Sequence, residues 1–206
     1  MAISYPVTMP STPGFTDTRF GLSANTAVFE SPITRTQQVV QRQGSRWVAE
    51  YSLPPMNRAS APSWIAFLTS LRGARGTFRG FDPDCKTSRG IIASSAIVSG
   101  GSQTGNTLTI SIATASTTAA SFKAGDYIKI TAPTTRLHMI VEDSIASSTG
   151  GATLSIEPEL RESPTANSTL IYTNPFTEFR LAGNDVSWDA SNISLFGITF
   201  AAVEAL

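Results

Sequence analysis

An all-β chain with a single α-helix is expected here, arranged as a split β-sandwich or barrel domain into which a small β-barrel-like module is inserted. Three observations lead to this. Only one stretch, from Ala61 to about residue 72, carries apolar residues at helical spacing. Almost everything else reads as short strands punctuated by glycine, proline and asparagine turns. The texture of the chain also changes at about Ile91 and changes back at Asn174-Pro175. That assigns residues 1–90 plus 174–206 to one unit and 91–173 to another.

Residues 1–25 hold Pro6, Pro10, Pro13 and Gly14 with little periodicity, and are expected as an irregular arm or lead-in. Strands are expected from Thr26 to Phe29, from Ile33 to Gln41 and from Arg46 to Leu53, with Gln43-Gly44-Ser45 as a hairpin link between the last two. In the third, Trp47, Ala49 and Tyr51 share one face and Val48, Glu50 and Ser52 the other. Pro54-Pro55 ends it, because proline cannot donate to a ladder. In the helix, Ser60 is the expected N-cap and Pro62 suits the first turn. Trp64, Ile65, Phe67, Leu68 and Leu71 form its apolar face. Arg72 suits the C-terminal end of the dipole, and Gly73 a left-handed cap. In a β chain such a face must pack on a sheet. A strand from Thr77 to Phe81 follows, closed by Asp82-Pro83-Asp84.

Residues 91–170 are rich in serine, threonine, alanine and glycine and contain no tryptophan. Strands are expected from Thr107 to Ile112, Asp126 to Thr131, Leu137 to Glu142, Ala152 to Glu157 and Thr169 to Thr173. Spacing of this kind predicts a small barrel or a twisted five-stranded sheet. Leu108, Ile110 and Ile112 alternate, as do Ile128 and Ile130, and Leu154 and Ile156, so the module should have its own core. Beyond it, strands are expected from Phe176 to Leu181, Val186 to Asp189 and Ile193 to Val203, the last apolar on both faces and therefore central. The exposed turn from Asp84 to Gly90 is a natural point of insertion.

The chain has 206 residues, 41% apolar and only 15% charged, with zero net charge. That balance argues against a nucleic-acid binder, which normally shows a basic excess. It also leaves little like-charge repulsion between copies. The single cysteine, Cys85, excludes an internal disulfide framework. No stretch approaches the ~20 apolar residues of a membrane span. Met1-Ala-Ile-Ser-Tyr-Pro6 has neither basic nor apolar signal regions, so the chain reads as made and folded in a reducing cytoplasm.

Several runs carry a resemblance. They are Trp64-Ile-Ala-Phe-Leu68, Leu71-Arg-Gly-Ala-Arg-Gly-Thr-Phe78, Asp82-Pro-Asp84 with Arg89-Gly90, Gly125-Asp-Tyr-Ile128, Arg136-Leu-His-Met-Ile140, Ala152-Thr-Leu-Ser-Ile156, Pro158-Glu-Leu-Arg161 and Ile198-Thr-Phe-Ala-Ala-Val-Glu-Ala-Leu206. Over about residues 30–206 their order resembles the distal tail proteins of long-tailed bacteriophages and related prophages. The resemblance implies a virion protein at the distal end of the tail. It implies a ring, usually a hexamer, between the tail tube protein and the hub or baseplate protein. It implies a β-sandwich or barrel belt with one flanking helix and an outward β module, galectin-like or of the oligosaccharide/oligonucleotide-binding type. It implies no catalytic residues and no cofactor.

The residues themselves point the same way on catalysis. His138 is the only histidine, no Gly-x-Ser-x-Gly elbow accompanies it, and a structural place in its strand is expected. Cys85 has no basic helix start to activate it. Asp82 and Asp84 supply too few oxygens for a calcium loop, and no metal site is expected. The glycine-rich run 73–80 lacks the Gly-Lys-Ser/Thr of a nucleotide loop. Arg72, Arg75, Arg79, Lys86 and Arg89 form the one basic cluster. It is open to three readings: a solvated face, a contact with an acidic patch on the next subunit or partner ring, or a contact with DNA in transit. The second is favoured because arginine is enriched at interfaces. Trp47, Trp64 and Trp188, with Phe67, Leu68 and Leu71, are expected in the helix–sheet core. The alternative is an aromatic platform for host-surface carbohydrate, for which the module offers Phe122, Tyr127 and Tyr172.

Overall fold

The computed structural model describes residues 3–92, 95–112, 120–191 and 195–206. The protein is mainly β with one helix and a closed six-stranded barrel. Before the helix lie β1 (Val7–Thr8), β2 (Asp17–Ser23), β3 (Thr26–Glu30), β4 (Gln37–Gln41) and β5 (Arg46–Ser52). Then come α1 (Ala61–Ser70), a single 3-10 turn at Gly73–Arg75, and β6 (Phe78–Gly80). The middle of the chain supplies β7 (Ala96–Val98), β8 (Gly105–Ile112), β9 (Ser121–Phe122), β10 (Tyr127–Ile130) and β11 (Arg136–Ile140). It continues with β12 (Ser144–Ile145), β13 (Gly151–Leu160) and β14 (Thr169–Ile171). The chain ends with β15 (Thr177–Leu181), β16 (Asp189–Ala190), β17 (Phe196–Gly197) and β18 (Thr199–Glu204).

One sheet has the order β1-β6-β15-β18-β5-β2, antiparallel except for the parallel pair β1–β6. Its inner face presents Trp47, Tyr51, Phe78, Phe179, Phe200 and Ala202, all buried. The helix covers one half of that face. Trp64 and Phe67 approach Phe200 at 6.3 and 6.5 Å, and Phe67 meets Phe78 edge-on at 5.6 Å. The outer wall of the barrel covers the other half. Tyr127 of β10 packs on Trp47 at 5.4 Å and on Phe20 at 5.8 Å, and Leu137 and Met139 of β11 join the same core.

The barrel closes in the order β10-β11-β13-β8-β7-β14. Its interior is a second core, with Leu108, Ile110, Ile128, Ile130, Leu154 and Ile156 pointing inward as their alternation requires. β10 is buried along its whole length, because Ile128 and Ile130 fill the barrel while Tyr127 and Lys129 face the neighbouring unit. The chain enters and leaves the barrel side by side. Thr87 bridges Thr173, and Asn174 N–H donates to the Lys86 carbonyl at 2.6 Å.

Several sequence expectations need correction. Residues 1–25 are not an irregular arm: β1 and β2 are strands of the main sheet. Thr18, Phe20 and Leu22 alternate on β2, a period masked by the prolines just before it. Gln43-Gly44-Ser45 is not a hairpin link, and residues 33–36 are not strand. β4 pairs with β3, whereas β5 pairs with β2, so β4 and β5 run end to end. Ser60 lies in helical geometry without a capping bond, and Asn57 Oδ1 instead accepts from Ala59 N–H at 3.0 Å and Ser60 N–H at 3.1 Å. Among the described residues of 186–189, only Asp189 is strand, paired with β17. β18 is central, but its outer face is open, with Thr199 and Ala201 exposed. Residues 193–194, where that strand was expected to begin, lie outside the described residues.

Candidate assembly and ligand surfaces

The first surface is a projecting ribbon. β2 and β3 pair with β5 and β4 as one long hairpin, from Asp17↔Ser52 down to Glu30↔Gln37. At the junction Arg42 N–H donates to the Asn25 carbonyl at 2.9 Å, and Asn25 Nδ2 donates to the Gln43 carbonyl at 2.9 Å. The outer part, β3 and β4, belongs to no wider sheet. At ~3.4 Å per residue its five-residue strands reach about 17 Å beyond the main sheet. Val28 opposes Val39 on one side, and Ala27 opposes Val40 on the other, next to Phe29. Val28, Phe29 and Val39 are exposed, and Ile33 at the tip is 91% exposed. A two-stranded hairpin that is apolar on both faces and packed on nothing is marginal by itself.

The second surface is the open outer face of the main sheet. Gly21, Val48, Ala182, Ala201 and Val203 line a depression of about 450 Å³, flanked by Arg19 and Glu50. The third is a cavity of about 330 Å³ beside the barrel entry, lined by Thr8, Arg79, Phe81, Lys86, Asn174 and Phe176. Arg79 lies 5.1 Å from the Phe176 ring, and Lys86 lies 6.0 Å from that of Phe81. Lys129 reaches across from the barrel and sits 3.6 Å over the Phe176 ring.

Beneath these surfaces two charged clusters tie the units together. Glu204 is buried and accepts from Trp47 N–H at 3.1 Å and Thr177 Oγ1 at 3.2 Å. Arg136 and Arg161 of the barrel each approach it at 3.9 Å. Burial pushes the Glu204 carboxyl above its ordinary range, and the Trp47 amide and the two arginines only partly offset this. Arg136 also donates to the Ala205 carbonyl at 3.0 Å, Arg161 to the Ser45 carbonyl, and Trp47 Nε1 to the Leu137 carbonyl at 2.8 Å. At the crossing point Asp126 accepts from Ser88 Oγ at 2.6 Å, Arg89 N–H at 2.9 Å, Arg89 Nε at 3.1 Å and Gly90 N–H at 3.3 Å. Burial pushes Asp126 up, but these donors together outweigh it and hold the carboxyl below the usual range.

The basic cluster read from the sequence therefore divides. Arg89 is tied to Asp126 through Nε, with most of its side chain still exposed. Arg79 and Lys86 meet at the cavity. Arg72 and Arg75 are exposed around the 3-10 turn, where Arg72 adopts φ 53° and Gly73 φ 68°. Trp47, Trp64, Phe67, Leu68 and Leu71 are buried in the core, but Trp188 is 43% exposed on an irregular segment. Of the aromatics considered for sugar, Phe122 is buried in the barrel and Tyr127 at the junction, while Tyr172 is half-buried against the barrel core.

Cys85 is unsuited to thiolate chemistry, because burial and the nearby Asp82 carboxylate raise its pKa to about 11. Among the described residues no group of three or more histidine, cysteine or acidic side chains is placed to hold a metal ion. No described helix is long and apolar enough to cross a membrane. Sequence reading missed Glu204, Asp126 and Lys129. Each carried a faint signal: Glu204 is the one charged side chain in Ile198–Leu206, Lys129 lies between Ile128 and Ile130, and Asp126 stands two residues before Ile128. Compared with protein-family models and with curated proteins, the chain matches none.

Proposed function

We propose that this chain is a structural, non-enzymatic protein of a phage tail tip. Copies of it form a ring, with six as the expected number, that joins the tail tube to the hub or baseplate. The observation that carries this reading is the ribbon of β3 and β4. It extends past the sheet with Val28, Phe29, Ile33 and Val39 uncovered, and no described residue of its own chain packs on it to bury them. A neighbouring copy supplies the missing surface. A contact of arm to body is heterologous, and it closes into a ring when its rotation divides a full turn. Zero net charge and sparse surface charge favour such packing of like chains.

Electron microscopy of purified particles and mass photometry of the free protein test the reading. A ring of this chain between tube and hub, or a discrete oligomer in solution, is the expected result. A free protein that stays monomeric at high concentration, together with particles that lack the chain, would overturn it.

A further inference from the structure

Lys129 is the one lysine or arginine buried among the described residues, at 6% exposure. Its ammonium forms no hydrogen bond and no ion pair with any described residue, and it sits 3.6 Å over the face of Phe176. Removing an ammonium group from water is expensive unless it is paired. Here the opposite arrangement holds, because Arg79 stacks on the same ring and Lys86 stands at the same cavity. Among the described residues neither has a carboxylate within ion-pair distance, and Glu178, which faces Arg79 across the β6–β15 ladder, lies outside it. The other interior charges are handled differently. Asp126 and Glu204 both have charged or hydrogen-bonding partners from their own chain. The cavity therefore gathers two cations, Arg79 and Lys86, around two phenyl rings, with the charge of Lys129 held on Phe176 beside it, and no described residue occupies the side-chain donors of Arg79 and Lys86. Its volume of about 330 Å³ falls within the range of small-molecule sites.

We propose that this cavity, bounded by Arg79, Lys86, Phe81 and Phe176 with Lys129 behind the Phe176 ring, binds an oxyanion carried on a compact, sugar-sized body. The anion is a carboxylate or a phosphate, and the guanidinium of Arg79 is suited to grip either with two parallel bonds. The rings give the rest of the ligand an apolar wall. The site lies within one protomer, so it does not depend on ring assembly.

The test uses three probes with similar bodies and different heads: glucuronate, glucose 6-phosphate and glucose. Each is titrated against the full chain at ionic strength held constant with chloride, and thermal unfolding is followed. One or both anions should raise the melting temperature with the logarithm of concentration above Kd, by about 5–10 °C at ~100 times Kd, with no response to glucose. A response to a single anion supports the site and identifies the head group. Lys129→Met removes a positive charge beside the cavity and should weaken the response, while the melting temperature without ligand holds or rises, since a buried cation has been removed. The exposed pair Arg79→Gln and Lys86→Gln provides the same test without touching the interior, and should weaken binding at least ~10-fold. Flat titrations with both anions, an equal response to glucose, or a response unchanged in both variants would overturn the proposal.

Discussion

His138 shows how a single side chain can set part of the acid stability. It lies on β11 at 3% exposure, and its Nδ1–H donates to the Pro158 carbonyl at 2.7 Å. Burial is the largest influence and lowers its pKa to about 4, with Arg136 and Arg161 acting in the same direction. In the unfolded chain the ring titrates near 6.5. Between those values the unfolded state binds the extra proton, so stability is fully present above about 6.5 and is lost as pH falls toward 4. The loss is about 3 kcal/mol at most. Urea unfolding from pH 7 to 4 should show it, and His138→Gln should flatten that stretch of the profile relative to the wild type. Asp126 allows a second measurement. Asp126→Ala strands the Ser88 hydroxyl and the amides of Arg89 and Gly90, and should lower unfolding free energy by about 2–3 kcal/mol in the same assay. Because its folded pKa is depressed, its contribution is present above the ordinary carboxylate range and fades as pH falls through the folded value.

Among the elements, the projecting hairpin makes the clearest prediction. Replacing Val28, Phe29 and Val39 together by serine removes no core contact, so the protomer's stability should change by under about 1 kcal/mol. The same triple variant should no longer assemble, as read by mass photometry beside the wild type. An unchanged oligomer would show that the arm is not the adhesive element. The arm is also where sequence reading was weakest. Pattern alone located Thr26–Phe29, but it ran the next strand from Ile33 to Gln41, four residues too early, and it could not reveal that β4 pairs backward onto β3 while β5 pairs onto β2. Register across the break depends on Asn25 and Arg42, whose backbone bonds leave no periodic trace. The helix was legible because Trp64, Phe67, Leu68 and Leu71 repeat at a spacing only a helix uses. Five of the six barrel strands were legible because alternation with period two survives wherever one side is filled and the other is not, whereas the three-residue β7 was too short to show it. Trp188 was misplaced because an aromatic residue has no pattern of its own when it lies outside a regular element. The cation-lined cavity was illegible for a different reason: Arg79, Lys86, Lys129 and Phe176 lie far apart in the chain, and only folding brings them together.

At the scale of the whole molecule, Trp47 is the central residue. It lies in the main sheet, stacks on Phe20 at 5.3 Å, meets Tyr127 of the barrel and donates to Leu137 of the barrel. A junction with this much buried aromatic surface should make sheet and barrel melt together, as one calorimetric transition. Trp47→Leu removes the indole donor and leaves a gap against Tyr127. It should cost about 3–5 kcal/mol and separate the melting into two steps. Retention of one sharp transition would show that the strands crossing at Lys86 and Asn174 hold the units together on their own.

The barrel is joined to the sheet by two adjacent chain crossings, a connection simple enough to suggest that it could be exchanged at will. The wall shared by Trp47, Phe20 and Tyr127 says otherwise. A chimaera that grafts a foreign barrel between Thr87 and Thr173 would match both chain ends and still leave a greasy indole facing solvent. The graft would have to bring its own cover for that ring. Kindred chains that lack the barrel should therefore carry a small or polar residue where this one has Trp47.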